Sequence, residues 1–183
     1  EYTPFASISD ECLMNSVTCI APTKAFNIAG LQTAAIFSAN KRLKHMAERG
    51  LNTDECAEPN VFAVTSAIAA FTNGGEWLDQ LCAYIAENRR VTAEFISENI
   101  PHLHMVESHA TYLFWLDCSE ITENSTQLAE FIRSKTGLYL SAGGHYRGNG
   151  AQFLRLNAAC PRSVLLDGLE RLRQGIFAYM LQG

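Results

Sequence analysis

Ala21-Pro22-Thr23-Lys24-Ala25-Phe26-Asn27-Ile28-Ala29-Gly30-Leu31 sets one lysine within a run of apolar and small residues. An ammonium in apolar surroundings favours its neutral form. A neutral amine is the nucleophile with which a lysine captures an aldehyde. Position alone suggests something plainer, a surface lysine in a turn that follows Pro22. The neighbours favour the first reading. Ala25, Ala29 and Gly30 leave room for a bulky ring, and Phe26 and Leu31 can exclude water.

The flanks of this run alternate between strand and helix patterns. Residues 16–20, Ser-Val-Thr-Cys-Ile, read as a short strand that enters the lysine loop, and residues 33–38, Thr-Ala-Ala-Ile-Phe-Ser, as the next, buried strand. Asn40 precedes a polar helix over 41–49, with Gly50 as its stop. Residues 61–71 predict a mostly buried helix that ends at Gly74-Gly75. From Glu76 to about Asn99, Trp77, Leu81, Tyr84, Ile85, Asn88, Val91, Phe95 and Ile96 recur at helical spacing. That aromatic stripe is read as packing.

Pro101 marks the expected domain boundary, with residues 1–100 on one side and 101–183 on the other. Beyond it, 111–116, 138–140 and 153–156 read as strands, 127–135 as a helix, and 162–181 as a closing helix. Leu165, Leu169, Leu172 and Ile176 form the apolar face of that last helix. The alternation predicts a small α+β domain packed on part of a larger α/β domain.

Arg155 is the second residue of interest, in Phe153-Leu154-Arg155-Leu156-Asn157-Ala158-Ala159-Cys160-Pro161-Arg162. A charge between apolar strand residues needs an anionic partner if it faces inward. A planar guanidinium can grip a carboxylate through two parallel hydrogen bonds. An alternating strand could equally turn the same arginine outward.

Taken together, these segments resemble the class I/II aminotransferases that use pyridoxal 5′-phosphate. The Lys24-Ala25-Phe26-Asn27-Ile28-Ala29-Gly30-Leu31 run is similar to the lysine motif of their cystathionine β-lyase-like, carbon–sulfur lyase branch. Residues 75–81, Gly-Glu-Trp-Leu-Asp-Gln-Leu, resemble the family's Trp-Leu-Asp helix start. Residues 110–117, Ala-Thr-Tyr-Leu-Phe-Trp-Leu-Asp, resemble one of its strands. Residues 155–162 resemble its Arg-x-Asn-x-(Ala/Gly)-Cys-Pro-Arg signature. The resemblance implies an α/β fold: part of the large domain of a fold type I pyridoxal-phosphate enzyme, followed by the small α+β domain.

Each site assignment follows from that resemblance. Lys24 would hold the cofactor as a Schiff base and then, as a free amine, move the substrate Cα proton. Arg155 would bind the substrate carboxylate, and Arg162 would position the final helix. The hydroxyl residue that the wider fold often carries three before the lysine is Ala21 here. The basic residue eight after it is Gln32. Phosphate contacts are therefore assigned elsewhere, Thr23 among them. The aspartate that meets the pyridine nitrogen and the ring-stacking aromatic lie upstream of residue 1 in the family. The chain starts without Met, just before the strand entering the lysine loop, so the expectation is the C-terminal part of a longer enzyme, inactive on its own.

The implied activity is a carbon–sulfur β-lyase of the cystathionine β-lyase type, acting on a small-molecule amino-acid substrate. An aminotransferase is the alternative, because both use the same two residues. A non-catalytic fragment or interaction module is a further one, exposing apolar surface near Thr18 and Ile36. Family members build the active site across a dimer, which implies a homodimer for the full protein.

Bulk properties narrow the remaining classes. The chain has 183 residues, 48% hydrophobic and 18% charged, and suits a soluble globular protein with a real core. A net charge of −5 without a basic run argues against nucleic acid. No apolar stretch is long enough to span a membrane. Residues 1–4, Glu-Tyr-Thr-Pro, lack the layout of a signal peptide. Six cysteines without a Cys-x-x-Cys pair read as reduced core residues of a cytoplasmic protein. His102 and His104 alternate on a strand-like stretch with too few further ligands for a metal, so no metal site is assigned. The glycine cluster 143–150 is followed by a strand and opens no helix, which argues against a phosphate loop. It reads as a loop flanking the Arg155 strand.

Overall fold

The computed structural model describes residues 2–182. The chain divides into two compact units, Glu1–Gln80 and Leu81–Gly183. In the first unit, α1 (Asp10–Met14) is capped by Ser9, whose side chain accepts from the Cys12 amide. Strands β1 (Thr18–Ile20) and β2 (Ala35–Phe37) pair antiparallel, with Cys19 opposite Ile36. The Lys24 run is the connection between them. Next comes α2 (Lys41–Thr53), whose cap Asn40 accepts from the amides of Arg42 and Leu43 at 2.9 and 3.3 Å. The helix runs past Gly50, where the sequence suggested a stop. One glycine costs a helix only about 1 kcal/mol relative to alanine, too little to end it.

Helix α3 (Ala63–Asn73) and the long α4 (Gly75–Asn99) follow, separated by Gly74. Two burial expectations fail here. Strand β2 is exposed along its length, and α3 buries only Ala63 while Ile68 and Phe71 stand exposed. Both carry the composition of buried elements, but no described residue of this unit covers their outer faces. Gly74 has a specific cause. A Cβ there would collide with the ring of Phe26, so only glycine admits that ring.

The second unit holds the main core. The C-terminal half of α4 buries Asn88, Thr92 and Ile96 at a spacing of four, whereas Trp77 and Tyr84 of the expected packing stripe are exposed. Ile96 and Ile100 join the core of this second unit, so the compact units divide within α4, ahead of Pro101. Four antiparallel strands, β3 (His104–Met105), β4 (Leu113–Asp117), β5 (Ser141–Ala142) and β6 (Phe153–Asn157), form a sheet in the order β3-β4-β6-β5. The strand expected at 138–140 pairs only from Ser141 onward. Leu138 to Leu140 approach it as unpaired chain.

Alternation gives this sheet two distinct faces. Phe114, Leu116, Ala142, Leu154 and Leu156 are buried on one of them, in the cluster with α5 (Ser125–Thr136) and α6 (Arg162–Met180). Leu128 and Ile132 of α5 join the cluster, as do Leu165, Leu169, Leu172 and Ile176 of α6. Each fully buried Leu or Ile side chain contributes roughly 1.5–3 kcal/mol. Asn124 caps α5, and Gly137 closes it at φ 76°.

The approach to β4 is strained. Thr111, a β-branched residue, sits at φ 67°, and the Arg89 guanidinium donates to the carbonyls of Ala110 and Thr111 at 2.8 and 2.6 Å. The same guanidinium lies 5.2 Å from the Phe114 ring centre. All six cysteines are free; Cys118 is buried in the core and Cys160 packs partly buried against it, so the expectation of core cysteines holds for those two. Three of the others, Cys19 on β1, Cys56 in the chain after α2 and Cys82 on α4, are exposed.

Candidate active site

The lysine loop is a chain of tight turns fixed by its own backbone. Phe26 donates its amide to Pro22 O at 3.0 Å, Ile28 to Thr23 O at 3.0 Å, and Leu31 to Ile28 O at 3.0 Å. Asn27 at φ 53° and Gln32 at φ 46° supply the left-handed corners. The side-chain amide of Asn60 bonds to Leu31 O and ties down the far end of the loop.

Lys24 is exposed at the head of this loop, and among the described residues its amine has no hydrogen-bond or ion-pair partner. The apolar surroundings expected from sequence are not there. Phe26 is spent instead on packing: it stacks on Trp77 at 6.1 Å and meets Phe71 edge-on at 6.1 Å. Thr23 is half-buried, and its hydroxyl makes no hydrogen bond among the described residues. A Cβ built on Gly30 meets nothing within 4 Å, so the loop borders open space.

In the second unit, Arg155 lies at the centre of a cross-strand row, with Trp115 opposite on β4 and Ser141 opposite on β5. It is on the sheet face away from the buried cluster and is half-buried. Its Nη2 donates to Ser141 Oγ at 3.1 Å, and its Cζ stands 5.2 Å from the Tyr146 ring centre. Trp115 stacks on Phe153 at 5.3 Å and 15°, and meets Tyr146 edge-on at 5.5 Å. An aromatic patch thus surrounds one guanidinium that has no carboxylate partner among the described residues. Such a group is chemically ready for an external anion.

Ser141 and Tyr146 were not singled out from sequence. Tyr146 lies in the glycine cluster, whose fold explains its glycines. A Cβ on Gly143 would strike Gly150 O, and also Phe153 O at 2.6 Å. One on Gly150 would strike Gly143 O. The two glycines close the loop by backbone contact and bring Tyr146 over Arg155.

Arg162 lies elsewhere and serves the scaffold. Its amide donates to Tyr84 Oη at 2.7 Å, and its Nε donates to Asn88 Oδ1 at 2.7 Å. The Asn88 amide in turn donates to Ala158 O at 2.8 Å and Cys160 O at 3.2 Å. That buried asparagine fixes the segment leaving the Arg155 strand, a role that sequence periodicity recorded only as packing. Glu87, bonded to Arg90 and near Arg162, has its carboxyl held below the usual carboxylate range, chiefly by the Arg90 hydrogen bond.

His102 Nδ1 and His104 Nε2 share one carboxylate, Glu120, at 3.2 and 3.0 Å. They hold Glu120 below its ordinary pKa, the His104 hydrogen bond contributing most. Among the described residues no group of three His, Cys, Asp or Glu converges on a metal position, and no helix is long and apolar enough to cross a membrane.

No family profile matches the chain. Individual relatives do. The chain is 39% identical over 176 residues to the cystathionine β-lyase PatB of Bacillus subtilis, covering 96% of this chain and 46% of that protein. It is 32% identical over 157 residues to the protein MalY of Escherichia coli, covering 85% of this chain and 40% of MalY. Among solved structures, cystalysin of Treponema denticola, which contains a pyridoxal 5′-phosphate cofactor, superposes with a TM-score of 0.89 at 27% identity, over 97% of this chain and 45% of that one. The chain thus spans about half the length of the curated relatives it matches. By sequence and by fold, it corresponds to the C-terminal portion of the class I/II aminotransferase family of pyridoxal-phosphate enzymes, on their cystathionine β-lyase-like branch.

Proposed function

We propose that the protein is a pyridoxal-phosphate-dependent carbon–sulfur β-lyase acting on amino-acid thioethers, with Lys24 as the cofactor-attaching residue and Arg155 as the substrate carboxylate clamp. The observation that carries this reading is the Arg155 guanidinium, half-buried among Tyr146, Trp115 and Ser141 with no anion of the described residues to neutralise it. An α-carboxylate would accept its two parallel hydrogen bonds. The lyase branch is preferred because the relative at 39% identity is a cystathionine β-lyase.

The residues present fit the cofactor at its attachment point. The Lys24 amine is exposed and has no partner among the described residues, the space beside Gly30 is open, and the Thr23 hydroxyl is available for a phosphate oxygen. Bound pyridoxal phosphate would supply the aldehyde carbon that the amine captures and a ring that takes up electrons released at the substrate. With the cofactor bound, the Lys24 amine would move the proton of the substrate Cα. Arg155 holds the carboxylate, and the Tyr146 face fixes the tilt of the guanidinium. In the lyase a thiol then leaves from Cβ. In the aminotransferase alternative the same amine would serve as the proton carrier and no thiol would leave.

The remaining elements of the reading are a homodimer and a cytoplasmic location. Exposed Ile20, Ile36 and Phe37 support association, and six free cysteines support a reducing compartment. The large and small domains are taken to meet at residues 100 and 101. Turnover is assigned to the full-length protein, with this chain alone inactive.

Two measurements test the reading. Pyridoxal 5′-phosphate added to the chain should give a visible absorption band that Lys24→Ala abolishes. A band unchanged in that variant removes Lys24 from the role. The full-length protein should release pyruvate from L-cystathionine. Keto-acid exchange without pyruvate would select the aminotransferase alternative.

A further inference from the structure

Adjacent residues of α4 hold β4 and β6 at the same end of the sheet. Asn88 donates to the carbonyls of Ala158 and Cys160, just beyond β6. Arg89 donates to the carbonyls of Ala110 and Thr111, just before β4, at 2.8 and 2.6 Å. The Ala158 amide links the two points by donating to Tyr112 O at 2.9 Å. The ladder that starts there pairs Leu113 with Asn157 and Trp115 with Arg155.

The Arg89 contact falls on a backbone outlier. Thr111 is β-branched, exposed and at φ 67°, a conformation such residues rarely adopt. The core does not require it, because Phe114, Leu116, Leu154 and Leu156 already set the strand register from the buried face. Outliers of this kind persist where surrounding contacts impose them, and they gather at functional sites. Arg89 is the side chain that imposes this one. Without it Thr111 would relax toward negative φ and move the start of β4, and Trp115 with it, against Arg155.

We propose that Arg89 is a positioning residue for the Arg155 site: it holds Thr111 in its left-handed turn and so sets where Trp115 stands beside the guanidinium. Resting on the carboxylate role proposed for Arg155, this makes the grip on a substrate depend on a turn outside the row that provides it.

The variants that test this are Arg89→Met, Arg89→Met/Thr111→Asn, Arg155→Gln and Arg89→Met/Arg155→Gln. Methionine keeps a stem against the Phe114 ring and removes the donors. Arg89→Gln, with a shorter donor, takes its place if that variant does not fold. Asparagine tolerates the left-handed φ and can accept from the Leu113 amide, as the Thr111 hydroxyl does at 3.3 Å. In the chain carrying Trp77→Phe, the indole N–H resonance of Trp115 should shift in Arg89→Met and return when Thr111→Asn is added. In the pyridoxal-phosphate-loaded full-length protein, absorbance titration gives affinities for L-methionine and for L-methioninamide, which lacks the carboxylate. Arg89→Met should weaken L-methionine about ten-fold or more and leave the amide unchanged. Thr111→Asn should restore the loss, and in Arg155→Gln the Arg89 change should add nothing. An unmoved resonance, no recovery with Thr111→Asn, or equal weakening of acid and amide overturns the positioning role. If Arg155→Gln weakens L-methionine and Arg89→Met does not, Arg89 loses its role and Arg155 keeps its own. If Arg155→Gln leaves L-methionine unchanged, or wild type binds neither ligand, the carboxylate reading itself fails and the positioning role falls with it.

Discussion

Replacing Asn88 by alanine should destabilise the second unit by about 2–4 kcal/mol. Asn88 is fully buried, and its side chain makes three hydrogen bonds: to the carbonyls of Ala158 and Cys160 and from the Arg162 Nε. Alanine leaves all three partners behind. A buried group stripped of its partner costs about 1–3 kcal/mol. Ala158 is itself fully buried, so water has poor access to its carbonyl. The Arg162 side chain is 29% exposed and can turn toward solvent, so its loss counts for less. The sum is a large part of the roughly 5–15 kcal/mol that holds a domain together. The assay is urea unfolding in a Trp77→Phe background, where Trp115 is the remaining tryptophan and reports on the second unit alone. Asn88→Asp should cost at least as much, since it keeps the Arg162 contact but turns a second acceptor toward two carbonyl oxygens. A loss below about 0.5 kcal/mol in Asn88→Ala, the scale of an ordinary surface substitution, would refute the reasoning.

Other outcomes follow from single contacts. Gly175→Ala should lower the melting temperature although alanine is the better helix former, because the new Cβ would lie 2.9 Å from Ile132 Cγ1 in a filled core. Overpacking of about 1–3 kcal/mol outweighs a helix gain of about 1 kcal/mol, and an unchanged or raised melting point refutes this. Burial pushes the Cys118 thiol up to about 12, with the Asp117 charge adding to it. Iodoacetamide at pH 8 should therefore label exposed Cys19, Cys56 and Cys82 and spare Cys118, as peptide mass spectrometry would show. Hydrogen bonds from Arg173 and Gln174 lower Glu170 to about 2. A lowered carboxyl stabilises the fold above its ordinary value of 4.5 and loses that contribution as pH falls toward about 2. A carbon-13 titration should find its midpoint near the lower value, and Arg173→Gln should return it toward the ordinary one.

Much of the second unit was legible because its patterns are strong and locally complete. The period of two around Arg155 puts Leu154 and Leu156 in the core and Arg155 on the other face. Leu165, Leu169, Leu172 and Ile176 of α6 are buried as their spacing predicts. The first unit was legible in element type but not in burial. Ile36, Phe37, Ile68 and Phe71 have the composition of buried residues and stand exposed, since apolar character states a need for cover without supplying it. Lys24 was read as shielded because Phe26 follows it closely, yet Phe26 turns to Phe71 and Trp77, long-range partners that no local pattern could choose. Ser141 escaped notice for a related reason. Its importance comes from lying across a strand pair from Arg155, which only register decides.

That register divides aim from taste. The pleat of β6 fixes which way Arg155 points, and reversing it would require a slip that also expels Leu154 and Leu156 from the core. Its row neighbours Trp115 and Ser141, and Tyr146 above it, carry no comparable obligation to the buried cluster. Variation at those three positions can therefore reshape the surroundings of the guanidinium, in size and polarity, while the sheet preserves its direction. A sheet built this way can change what surrounds a charge without losing its hold on where that charge points.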